Sequence, residues 1–162
     1  NQINLTFCLI SLSLVAVRAY PSGAGGKSCQ SLIPGHGNDL RSNLAAVPYS
    51  LTVSSQSVKR GNPISVTING LEPWSGIILQ GRDSDDKIIG TFVAPPSGLR
   101  TMDCSSGKKN TITQSIPQSR TSQTVSWMAP RNQTEVTFKA TILRGMREWY
   151  SGISSPKVSV TK

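Results

Sequence analysis

Val136-Thr137-Phe138-Lys139-Ala140-Thr141-Ile142 alternates apolar and polar side chains without a break. A period of two places Val136, Phe138, Ala140 and Ile142 on one face of a strand, and the threonines and the lysine on the other. The residue types agree, because β-branched and aromatic side chains fit a pleated, half-buried surface. Working outward, the same rule governs Val125-Ser126-Trp127, Ile64-Ser65-Val66-Thr67-Ile68, Leu51-Thr52-Val53 and Val158-Ser159-Val160. Ile77-Ile78-Leu79 and Lys87-Ile88-Ile89-Gly90-Thr91-Phe92 are more continuous, which predicts central strands, and Asp83-Ser84-Asp85-Asp86 joins them as a hairpin turn. Gly61-Asn62, Asn69-Gly70, Ser106-Gly107 and Pro130-Arg131-Asn132 punctuate the remainder, and Pro63 opens its strand, where a missing N–H costs little. Helical periodicity is hard to find after Tyr20. About seven or eight short strands at this spacing predict an all-β domain, an immunoglobulin-like antiparallel β-sandwich. A small barrel satisfies the same pattern. The predicted core is Val66, Ile68, Leu79, Val125, Trp127, Val136, Phe138 and Ile142.

Asn1 to Ala19 read differently. Leu5 to Val17 carries no charge and is apolar apart from Thr6, Ser11 and Ser13. That is the length of a secretory h-region and too short to span a bilayer; Val17-Arg18-Ala19 then places small residues at the −3 and −1 positions of a cleavage site. The chain starts at Asn1 without a methionine, so a basic n-region is expected to precede it. A signal peptide over 1–19 and one secreted domain over 20–162 are expected, with no membrane anchor, because no later segment is apolar enough for a membrane helix. A buried core segment is the competing reading of the leader.

Cleavage changes the arithmetic. The chain has 17 Lys+Arg and 8 Asp+Glu, and only Arg18 leaves, so 16 basic residues against 8 acidic give a net charge of +8. Of three cysteines Cys8 also leaves, and Cys29 and Cys104 remain as a pair for an oxidising compartment. A bridge between them closes a loop of about 75 residues, worth up to ~4.5 kcal/mol in the chain-entropy model. Free thiols or metal ligands are the alternative, but zinc takes about four N, S or O ligands and His36 is the only histidine. Tyr20 to Pro48, rich in Gly, Ser, Pro and Asn, reads as an extended arm that this disulfide staples to the sandwich. Asn132-Gln133-Thr134 is an N-glycosylation sequon.

Catalytic constellations are weak. His36 sits in a glycine-flanked turn with no carboxylate assigned to orient it. Ser105-Ser106-Gly107-Lys108 matches a Ser-x-x-Lys pattern but follows a half-cystine in a turn rather than sitting on a helix. Asp83, Asp85 and Asp86 offer oxygen ligands for calcium, yet the glycine and distal glutamate of a calcium loop are missing, and a solvated hairpin tip is the simpler reading. No enzyme, cofactor or metal site is expected. The basic residues are the stronger lead: Lys59-Arg60 at one turn, Lys108-Lys109 at another, Arg144 and Arg147 near a third, with Arg100, Arg120 and Arg131 assigned to loops. Such charge attracts polyanions. Outside the cell these are lipopolysaccharide, lipoteichoic acid and heparan-type chains, not nucleic acid. The plain alternative is charge that only keeps the protein dispersed. Trp149-Tyr150 is either a sugar-stacking pair or a core pair at the start of the last strand.

Tyr20-Pro21-Ser22-Gly23-Ala24, Cys29, Pro34-Gly35-His36-Gly37, Gly76-Ile77-Ile78-Leu79-Gln80-Gly81-Arg82-Asp83, Val125-Ser126-Trp127-Met128-Ala129-Pro130 and Val136-Thr137-Phe138-Lys139-Ala140-Thr141 follow in that order. Together they resemble the reeler domain, and the chain with its leader looks like the short secreted insect defense proteins. The resemblance implies an immunoglobulin-like sandwich, secretion into haemolymph and an antibacterial role in innate immunity. The DOMON and cytochrome regions of larger members have no counterpart here, so ferric-reductase activity does not carry over. Two functions are expected to compete: a non-enzymatic binder of bacterial surface polymers, and an extracellular-matrix or adhesion module that binds glycosaminoglycan or protein.

Overall fold

The structure, a computed structural model, describes residues 23–35, 46–145 and 147–162. The leader and His36 lie outside the described residues. After a 3-10 turn at Gly26–Ser28 come β1 (Tyr49–Val53), β2 (Ser57–Lys59), β3 (Pro63–Trp74), β4 (Gly76–Arg82), β5 (Ile88–Ile89), β6 (Thr91–Val93), β7 (Leu99–Met102), β8 (Thr111–Gln114), β9 (Arg120–Met128), β10 (Glu135–Leu143), β11 (Trp149–Ser154) and β12 (Val158–Thr161). They form two sheets. One has the order β1-β3-β9-β6, the other β2-β12-β10-β4-β8-β7, with β11 also on β10 and β5 on β4.

All eight predicted core residues lie in one buried cluster between the sheets. Trp127 of β9 meets Phe138 of β10 edge-to-face at 5.2 Å, and its indole N–H donates to the Ile89 carbonyl at 3.2 Å. The indole thus bridges both sheets with its polar edge satisfied.

Four expectations need correction. Lys87–Phe92 is not one central strand. Gly90 adopts φ +72° with the Trp127 ring 2.1 Å from where a Cβ would stand. The chain kinks there, leaves β5 on one sheet and enters the other as β6, an edge strand. Asn69-Gly70 is not a turn but lies inside β3, where the register against β9 slips between Asn69 and Trp74. Glycine is required there because a Cβ would stand 2.7 Å from the Glu72 carbonyl oxygen, with the Tyr49 ring next at 3.1 Å. The sheets are not wholly antiparallel, since β12 runs parallel to β2. There are also more strands than expected, because short β2, β5 and β7 carry too few residues for a period to show. β11 and β12 act as one interrupted strand along β10. At the break, Ser155 N–H donates to the Phe138 carbonyl at 2.9 Å and its Oγ accepts Phe138 N–H at 3.0 Å.

Every residue of β4 is buried. Leu79 and Gly81 face the core cluster, while Ile78, Gln80 and Arg82 alternate onto the opposite face. The arm covers that face. The disulfide between Cys29 and Cys104 is present, with Cα atoms 5.4 Å apart. Gly23 lies so close to Gln114 that a Cβ would stand 2.4 Å from its carbonyl oxygen, and Ala24 N–H donates to Thr113 Oγ1 at 2.9 Å. The described arm is therefore not a plain extended ribbon. It folds into the 3-10 turn as it crosses the sheet.

Candidate functional site: a basic end of the sandwich

Strand direction decides which of the six predicted polyanion-binding residues can cooperate. Pro63 and Thr91 both pair with Met128, Arg82 pairs with Thr137, and Gln80 pairs with Thr111. One end of the sandwich thus collects the starts of β3, β6, β8 and β10. Lys59 pairs with Thr161 beyond the start of β10, and Gly61 N–H donates to the Ala129 carbonyl at that end. Lys108 and Lys109 immediately precede β8, so they share it, as does Arg131 in the β9–β10 turn. Arg144 and Arg147 do not. Leu143 pairs with Gly76 at the opposite end, and the β10–β11 turn lies there. The structure brings together Lys59, Arg60, Lys108 and Lys109 and separates Arg144 and Arg147 from them.

Within this end the two basic pairs occupy opposite flanks. β2 and β8 are four strand steps apart, about 19 Å at the usual inter-strand spacing. Among the described residues Lys59, Arg60, Lys109 and Arg131 have no ion-pair partner. Lys108 is tied to Asp103 at 2.9 Å. Lys109 is held in the left-handed backbone region at φ 50°, unusual for a residue with a Cβ. Two contacts keep it there: its N–H donates to Asp103 Oδ1 at 2.8 Å, and its carbonyl accepts Phe92 N–H at 2.8 Å. That backbone bond, with the Lys108 ammonium, holds the Asp103 carboxyl below the ordinary carboxylate value.

The other residues singled out by sequence fall into place around this end. Asp83 Oδ1 accepts the N–H groups of Asp85 and Lys87 at 3.0 and 2.9 Å, shaping the hairpin tip. Asp86 pairs with Lys139 at 2.8 Å, a bond that keeps its carboxyl below the usual range. Ser105 and Lys108 lie in the turn that follows β7, and Lys108 is spent on Asp103. Asn132 is exposed in the β9–β10 turn, as is Thr134 of its sequon.

At the far end Arg144 is shared between Glu148 at 3.1 Å and Glu72 at 2.5 Å, and Glu148 first, then Glu72, raises its pKa. Trp149 and Tyr150 are buried, and Tyr150 meets Tyr49 edge-to-face at 5.2 Å, so the pair is structural. Arg100 and Arg120 belong to β7 and β9 rather than to loops, and Arg120 lies 5.4 Å over the Trp74 ring.

Sequence reasoning missed Arg82. It is 1% exposed and clamps the arm. Its guanidinium donates to the carbonyls of Cys29 and Gln30, both at 3.0 Å, to the Asp86 carbonyl at 2.7 Å and to Gln80 Oε1. Gln80 Nε2 donates in turn to the Cys29 carbonyl and Thr111 Oγ1, both at 3.0 Å. The available signal was a glutamine and an arginine two residues apart at the end of an apolar run, Gln80 and Arg82 after Ile77-Ile78-Leu79.

An immunoglobulin-like sandwich of two sheets, with an N-terminal arm disulfide-bonded across one outer face, defines the class. Residues 27–162 match the reeler domain, and the chain belongs to that family. It is 35% identical over 164 residues to an Hdd11-like protein of Samia ricini that carries a defense-protein name, covering 96% of both chains. It is 30% identical to ferric-chelate reductase 1 of Bos taurus, but the match covers only 25% of that protein. A crystal structure of the Reelin-N domain of F-spondin superposes with TM-score 0.63 at 22% identity, covering 85% of this chain and all of that one, a likeness of fold. Among the described residues no helix is long and apolar enough to cross a membrane.

Proposed function

We propose that this is a secreted, non-enzymatic defense protein that binds anionic polymers of the bacterial surface through the end bearing Lys59, Arg60, Lys109 and Arg131. The observation that carries the reading is the spread of unpaired cations across one end over about 19 Å. A compact anion meets one flank only. An extended polyanion with regularly spaced phosphates engages both and releases counterions at each contact. Defense-protein names among relatives that match nearly the full chain support the biological setting, and the uncharged leader supports secretion.

Titration of the purified protein against lipoteichoic acid and lipopolysaccharide, at low and at physiological salt, tests it. Saturable binding to either supports the reading, and absence of binding to both overturns it. Tighter binding to heparan chains than to either bacterial polymer transfers the site to the matrix-module reading. Asn132 lies on this same end beside Arg131, and a glycan there narrows the approach. A mass decrease on treatment with peptide-N-glycosidase, absent in Asn132→Gln, is the expected result.

A further inference from the structure

A cavity of about 250 Å³ lies between the arm and the outer face of the larger sheet. Ile78 and Leu143 form its floor, and Ala24 and Pro34 form part of its wall. Gly25 and Gly26 line it from the arm without side chains to fill it, and nothing stands within 4 Å of a Cβ added at either. Lys27 also lines it, and its ammonium has no ion-pair partner among the described residues.

The cavity exceeds the roughly 150 Å³ that takes up benzene in an engineered apolar core. A methylene is close in size to the share of one water in the liquid, about 30 Å³, so the space holds a chain on the order of eight carbons. Its walls are mainly hydrocarbon and glycine backbone, and its charged lining group is a cation. Charge complementarity therefore selects an apolar chain that ends in an anion.

We infer that this cavity binds a single acyl chain of an anionic amphiphile, with Lys27 pairing to the headgroup. The biological sense of the inference rests on the reading above, because bacterial lipopolymers join acyl chains to phosphates. The cavity lies under the arm and the basic end holds a separate set of residues, so the two sites are separable.

The test is calorimetric titration of the full protein with straight-chain carboxylates of four to twelve carbons, and with the matching alcohols. Affinity is expected to rise about threefold to fourfold per methylene and to level off near eight carbons. Ala24→Trp, which fills the cavity from the exposed arm, should weaken octanoate binding at least tenfold. Leu143→Trp fills it from the floor and serves as the second variant, each checked for an unchanged melting transition. Lys27→Glu should weaken octanoate and leave octanol alone. No saturable octanoate binding, or binding indifferent to both filling variants, overturns the site; octanoate binding that survives Lys27→Glu overturns the anionic class. Deacylated lipoteichoic acid isolates the other reading. Loss of its binding in Lys59→Glu/Arg60→Glu, with octanoate affinity unchanged, shows that the two sites stand or fall separately.

Discussion

Two residues carry more of this structure than their types suggest. Arg82 is a buried cation whose hydrogen bonds end on carbonyls, a side-chain amide and one carboxylate oxygen. Removing it leaves buried Gln80 Oε1 and the Gln30 carbonyl without the donors they have here, while the Cys29 carbonyl keeps Gln80 Nε2, and each unsatisfied buried group costs roughly 1–3 kcal/mol. Arg82→Met should therefore destabilise by about 3 kcal/mol in urea unfolding. Arg82→Lys should recover little of that, because a single ammonium cannot reproduce a planar fork. Lys109 presents the reverse case, strain located where binding is proposed. Asparagine tolerates the left-handed region better than lysine does. Lys109→Asn should keep or raise the melting temperature while weakening polyanion binding, and thermal melts read beside titrations give both numbers. The sequence displayed Lys109 as a basic residue in a turn, but not its backbone state, which depends on Asp103 of the same turn and on Phe92 of the other sheet.

At the scale of elements, legibility followed the faces. β1, β3, β9, β10 and β12 have one core face and one polar face, so alternation announces them. β4 and β8 are covered on both sides, and their outer faces carry Gln80, Arg82, Thr111 and Thr113, all buried. The continuous run Ile77-Ile78-Leu79 announces a central strand, but the polar residues that follow it and the whole of β8 carry no such signal, because the arm that covers them is distant in sequence. The arm depends on its staple. Cys29→Ser/Cys104→Ser should destabilise by up to ~4.5 kcal/mol in the chain-entropy model. It should also raise amide exchange in residues 23–35 ahead of β3, β9 and β10. Equal exchange across all of them would show the arm to be an integral layer. The turns also set the pH limits. Asp86 and Asp103 have lowered folded-state pKa values, so their contribution is present above the unfolded value near 4 and is lost as pH falls through the folded one. Tyr49 is pushed from 10.0 to about 12 by burial, then by Tyr150, so its contribution is present below 10.0 and is lost as pH rises toward 12. Melting temperatures should hold between pH 5 and 9 on these grounds, falling on the acid side less in Asp86→Asn/Asp103→Asn and on the alkaline side less in Tyr49→Phe.

For the whole molecule the question is whether charge acts as a total or as an arrangement. The sequence yields a net +9 and the identity of the basic pairs. It does not say which pairs share an end, since that follows from strand direction and from the sheet switch at Gly90. If only the total mattered, reversing any two cations would weaken polyanion binding equally through the long-range field. If the arrangement matters, contacts at the basic end release counterions and set the salt dependence, close to one ion per neutralised charge. Lys59→Glu/Arg60→Glu should then lower the steepness of log K against log salt by about two. Arg144→Glu/Arg147→Glu carries the same change in net charge at the opposite end, where Arg144 is already committed to Glu72 and Glu148. It should leave that slope nearly unchanged. Lipoteichoic acid titrated from 50 to 300 mM salt supplies the comparison. Equal slopes in the two variants would reduce the basic end to a share of net charge, whereas a difference near two would fix Lys59 and Arg60 as points of contact.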